Sequence, residues 1–249
     1  MDSNYLSYRL RFVWLTVFAV AMGFLEAIVV VYLRMIYYPE GFDFPLALMP
    51  PEVLSVEWVR EIATLVMLAG VGIIAGRNNL QRLFYALFAF GVWDIIYYVA
   101  LKIFLAWPAS LFTWDLLFLI PLPWLGPVLA PVICSVTMII MAVVIIGKQE
   151  RGYIVRPAPA DWILIYGGAA IILFTFLIDY SMLIINSGIL SSEGTPADAE
   201  KLLSIINQYS PGRYKWVLFF AGELLIIAGT VRIFIKSRKR KLPVGEPAV

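Results

Sequence analysis

Four carboxylates stand inside apolar runs: Glu26 in FLEAIVVVYL, Asp94 in FGVWDIIYYVAL, Asp179 in IILFTFLIDYSMLII and Glu223 in FFAGELLIIAG. An ionised group at membrane depth costs several kcal/mol when it stands alone, so each marks a candidate place for binding a proton or a polar or ionic solute. Cations that could balance them are Arg34 at the end of the first apolar run, Arg60 at the start of the second and Lys102 in the third. Asp94, Tyr98 and Lys102 follow i, i+4, i+8 spacing, which predicts a polar stripe on one helix face. Glu26 and Arg34 are also eight apart and share neighbours on the first helix.

Depth separates these residues from ordinary anchors. At about 1.5 Å per helical residue, Glu26 lies roughly 22 Å from Arg11, Asp94 roughly 18 Å from Arg82 and Asp179 roughly 26 Å from Trp162. Glu223 lies roughly 10 Å from Trp216. Against a core about 30 Å thick, all four fall in the outer half or near the midplane. Arg34, Arg60, Glu61 and Asp115 lie close enough to the interface to snorkel, so singly each reads as an anchor. The competing account of the whole set is that charged pairs fix helix register and bind nothing.

The elements that must carry these residues are membrane spans. Residues are 62% hydrophobic and only 14% charged, with a mean hydropathy of +0.88, where a soluble domain carries about 25% charged residues. The reading is an all-α polytopic bundle of about six helices, one transmembrane domain over 1–249, with spans near 12–34, 58–76, 83–106, 127–147, 162–186 and 216–235. Trp107 to Gly147 is longer than one span needs and too short for two. Prolines 108, 121, 123, 127 and 131 break its first half, so WDLLFLIPLPWLGP is expected to be a re-entrant or interfacial outer segment. Thr195-Pro196 opens an expected short outer amphipathic helix with Leu202, Leu203, Ile205 and Ile206 on its apolar face. Ala19, Gly23 and Ala27 place small residues at every fourth position, a seam for close helix contact within the bundle or with a partner.

Charge placement orients the chain. Arg9 and Arg11, Arg77 and Arg82, Lys148, Arg151 and Arg156, and the KSRKRK run from Lys236 make every second connection basic. The loops between carry Glu40, Asp43, Glu52 and Glu57, or Glu193, Asp198 and Glu200. The positive-inside rule then predicts an even number of spans in the cell (inner) membrane, with both termini and the tail 236–249 cytoplasmic. Ala19-Val20-Ala21 resembles a signal-cleavage site, but the apolar run continues to spanning length and reads as an uncleaved first span.

Several chemistries are excluded. The chain has no histidine and one cysteine, Cys134, which rules out histidine-ligated haem, histidine zinc motifs and any histidine dyad of its own. It has neither GxxxxGK[ST] nor GxGxxG. The expectation is therefore no metal and no cofactor. The basic tail reads as a topological anchor with attraction to anionic lipid, not a nucleic-acid site. Expected partners are the bilayer and further membrane subunits or copies of the same chain.

The stretches FLEAIVVVYLRMIYYPEGF, WVREIATLVML and FGVWDIIYYVALKIFLAWPASLFTWDLLFLIPLPWLGP resemble a group of uncharacterised bacterial multi-pass membrane proteins, over roughly the first half of the chain. The resemblance implies membrane placement, no activity and no site residues. In architecture, six helices with a pocket under outer loops also look like the substrate-binding subunit of energy-coupling-factor vitamin transporters, a likeness of fold alone.

Three functions remain open. The first is a transporter, or its binding subunit, with Glu26, Asp94, Asp179, Glu223 and Tyr98 as ligand or proton sites and Arg34, Arg60 and Lys102 as counter-ions. The second is a non-catalytic subunit anchoring or assembling a larger respiratory or photosynthetic complex. The third is a membrane-embedded enzyme acting on a lipid or isoprenoid, encouraged by Trp93-Asp94 and Trp114-Asp115; no catalytic residue is assigned, and a non-enzyme is favoured. A transporter needs a polar cavity joining the carboxylates, an assembly subunit needs them satisfied in pairs, and an enzyme needs two in one lipid-accessible cleft.

Overall fold

The computed structural model describes residues 7–187 and 209–239. Its helices are α1 (Tyr8–Tyr37), α2 (Pro51–Ala75), α3 (Asn79–Leu105), α4 (Leu129–Glu150), α5 (Pro159–Ser187) and α6 (Trp216–Lys236). Each of the six is long and apolar enough to cross a membrane. The chain is an all-α, multi-pass membrane bundle. The expected amphipathic helix around Thr195 and the end of the basic tail lie outside the described residues.

Local chemistry sets the helix ends. Pro50-Pro51 starts α2, because proline at the first helical position loses no hydrogen bond there. This start lies seven residues before the expected Trp58 and draws Glu52 and Glu57 into the helix. Asn78 caps α3 by accepting from the Gln81 N–H at 3.0 Å. At the other end of α3, Lys102 Nζ donates to the carbonyls of Ala106 and Pro108 at 3.0 and 2.8 Å. The Asp161 carboxylate lies inside the first turn of α5 and accepts from the Ala158 N–H at 2.9 Å.

Helix α3 is the hub: α1, α2 and α4 all pack against it, while α5 pairs with α6; α6 meets the rest through α4, and α5 through the segment just before α4. The small-residue seam of α1 lies inside the bundle, with Ala19 and Ala27 fully buried. At Gly23 it meets the backbone of α3; a Cβ there would lie 2.8 Å from the Trp93 carbonyl oxygen. Gly91 does the same between α3 and α4, where a Cβ would lie 2.6 Å from the Ser135 carbonyl oxygen.

The proline-rich segment between α3 and α4 is a β-hairpin. Strand β1 (Trp114–Phe118) pairs antiparallel with β2 (Trp124–Pro127), in register Asp115 with Gly126 and Phe118 with Trp124. Backbone polar groups withdrawn from water must find partners within the protein, and strand pairing supplies them where prolines forbid a helix. At the opposite end of the bundle, β3 (Tyr153–Ile154) pairs with β4 (Arg238–Lys239), so the start of the basic tail is tied to the loop after α4. Arg11, at the same end, pairs with Glu150 at 3.2 Å.

Candidate functional site

The hairpin roofs a cavity of about 210 Å³ among α1 to α5. Of the residues singled out in the sequence, Glu26, Arg34, Arg60, Asp94 and Tyr98 line it together. Asp179, Glu223 and Lys102 do not. Asp179 pairs with the half-exposed Lys215 at 3.6 Å. Glu223 sits behind the wall, accepting from Thr137 Oγ1 at 2.8 Å and facing Cys134, which does line the cavity. Lys102 turns to the carbonyls that end its own helix; eight residues at 100° each leave it about 80° around from Asp94.

Three further carboxylates line it that the sequence reading places elsewhere: Glu57, read as a loop acid, and Glu61 and Asp115, read as interfacial anchors. Glu57, Arg60, Glu61 and Thr64 follow i, i+3, i+4, i+7 spacing, the signal of one helix face. That signal becomes readable only once α2 starts at Pro51. Arg60 is the centre of this face: it is ion-paired with Glu26 of α1, bonds Glu57 Oε2 through Nε at 2.8 Å and lies 4.0 Å from Glu61. Thr64 Oγ1 donates to the second Glu26 oxygen at 3.0 Å. Glu61 instead holds the hairpin, both of its oxygens accepting from the Leu119 N–H at 2.9 and 3.0 Å.

Asp115, expected to be an interfacial anchor, is fully buried on β1. Arg34 Nη2 donates to its Oδ1 at 2.9 Å, and the same guanidinium lies 3.7 Å from the Trp107 ring centre and 4.3 Å from that of Phe42. The two rings meet edge to face, their centres 5.6 Å apart, and form a corner of aromatic surface that holds the desolvated arginine in place. Asp115 stands outside the six helices. Burial pushes its carboxyl above the ordinary carboxylate range, and the Arg34 guanidinium opposes that shift.

Asp94 is different from these. It is buried, lines the cavity, and accepts from Ser135 Oγ at 2.8 Å, yet it has no cationic partner among the described residues. Gly91, one turn earlier, lets α4 approach closely enough for that bond. Around it runs an aromatic wall, Phe90 to Trp93 to Phe118 to Trp124 to Phe176, with successive ring centres 5.2, 6.3, 5.3 and 6.4 Å apart. Counted together, the lining carries five carboxylates and two guanidiniums. Burying such an excess of acid is unfavourable unless protons or a cationic ligand offset it.

No family model, curated protein or solved structure matches the chain.

Proposed function

We propose that the protein binds a small polar or ionic solute, or protons, in the cavity beneath the hairpin, as a transporter or the binding subunit of one. The observation that carries this reading is Asp94, a buried carboxylate facing a cavity with a serine hydroxyl as its hydrogen-bond donor and no described cation beside it. Such a group earns its place by binding something that arrives from outside the protein. In this reading the hairpin faces the outside of a cell membrane and both termini are cytoplasmic, because Arg77, Arg82, Lys148, Arg151 and Arg156 lie in the connections at the other end.

A second reading, a non-catalytic subunit that assembles a larger respiratory or photosynthetic complex, draws on the pairs already complete: Asp179 with Lys215 and Arg34 with Asp115. Native purification in mild detergent separates the two. Mass spectrometry of what the wild type retains is compared with Asp94→Asn. A small molecule lost from the variant supports the solute reading. Identical small-molecule content, with the same stoichiometric partner chains in both, supports assembly.

A further inference from the structure

Three independent features of the cavity describe what would fit it. The first is charge. Arg60 is committed to Glu26 and Glu57, and Arg34 to Asp115, which leaves Asp94 without a positive partner among the described residues. The second is surface: Trp93, Phe118 and Trp124 present aromatic rings to the same space as that carboxylate. Aromatic faces attract cations, most strongly where water is excluded. The third is a pair of unanswered donors. The indole N–H groups of Trp93 and Trp124 are buried without an acceptor, and Trp93 is only 4% exposed. Buried N–H groups call for an acceptor.

A bare metal ion brings charge but offers the indole N–H groups no acceptor, and the cavity does not supply its ligands. Among the described residues no three carboxylate or thiol side chains converge as a metal-binding group, whereas a hard cation such as calcium takes six to eight oxygen ligands. An anion would face the acidic excess. The volume, about 210 Å³, lies below the roughly 300–1,000 Å³ of drug-sized pockets. The occupant is small.

Resting on the solute-binding reading above, we propose that the cavity takes a small organic ammonium ion that also carries a hydrogen-bond acceptor. The positive nitrogen lies against Asp94, its carbon substituents against the rings of Trp93, Phe118 and Trp124, and its acceptor oxygen receives the indole N–H groups. Asp94 and Trp93 are then the specificity-determining residues.

The test uses the full chain in lipid nanodiscs. Equilibrium binding of radiolabelled choline and of radiolabelled ethanolamine is measured, with competition by 3,3-dimethylbutan-1-ol, the neutral carbon analogue of choline. At least one ammonium ion is expected to bind, the neutral analogue to compete at least about tenfold more weakly, and Asp94→Asn to weaken binding by about tenfold or more. Equal competition by the neutral analogue overturns the ammonium assignment, even if Asp94→Asn fails to fold, and leaves solute binding standing. If neither ammonium ion binds, the assignment also falls. Infrared spectra and the native-purification comparison then decide the underlying reading: a pH-dependent carboxyl band lost in Asp94→Asn keeps proton binding, a small molecule lost from the variant keeps solute binding, and the absence of both removes it.

Discussion

Arg34 of α1 and Asp115 of β1 form a buried ion pair, 2.9 Å between Nη2 and Oδ1, that joins the last turn of a membrane helix to the first strand of the hairpin 81 residues later. The pair closes one side of the cavity roof. The Glu61 to Leu119 bonds close the other.

Removing one member of this pair leaves a charge stranded in a dry site. Arg34→Met is expected to destabilise the protein by roughly 3–5 kcal/mol, read from denaturant unfolding in detergent. Arg34→Met combined with Asp115→Asn should recover much of that loss. Arg34→Lys should not, because an ammonium group has no planar face to lay against the Trp107 and Phe42 rings while it bonds Asp115.

Glu61→Ala takes the acceptor from the Leu119 N–H at the hairpin tip. The expected cost is about 1–3 kcal/mol. Hydrogen exchange gives the sharper readout: peptides covering 116–124 should exchange faster in the variant while those of α5 and α6 stay unchanged. A uniform rise across the chain would mean that Glu61 supports the bundle and not the hairpin in particular.

Gly91→Ala places a methyl group 2.6 Å from the Ser135 carbonyl oxygen. Helices α3 and α4 must part, at an expected cost of about 1–3 kcal/mol. Because Ser135 then moves from Asp94, ligand affinity should fall as well. Ser135→Ala separates the two effects, removing the hydroxyl without moving the helices.

Asp179→Asn is the contrasting case. Its partner Lys215 is 45% exposed, and exposed pairs contribute about 0–1 kcal/mol. Thermal unfolding and solute binding should both stay close to wild type. A large loss of binding in this variant would place the solute near α5 and α6, away from the hairpin cavity.

Much of the fold was legible because its signals are local. Apolar length alone predicts six helices, and the spacing of Ala19, Gly23 and Ala27 predicts a tight contact that the structure places between α1 and α3. Glu26 and Asp94 were readable as buried charges for the same reason. The hairpin was not. Short apolar runs between prolines, such as LLFLI, have the same pattern in a buried strand as in a broken helix, and cross-strand pairing decides between them. In the sequence Pro50-Pro51 looks like a break and leaves Glu57 in a loop, whereas proline there begins a helix. Asp179 and Glu223 have the right depth, but depth does not say which neighbour a helix face meets. That is set by the pairing of α5 with α6, which no single span encodes.

The claim that Asp94 binds the solute or protons that the protein handles is tested most directly, for a protein that transports by itself, by uptake. Wild type, Asp94→Asn and Asp179→Asn are reconstituted in proteoliposomes holding a pH-sensitive dye, supplied outside with a cell metabolite extract, and their contents identified by mass spectrometry. The account expects wild type and Asp179→Asn to take up the same solute or protons, and Asp94→Asn to match empty vesicles. Equal uptake by all three reconstituted proteins, above empty vesicles, would contradict it.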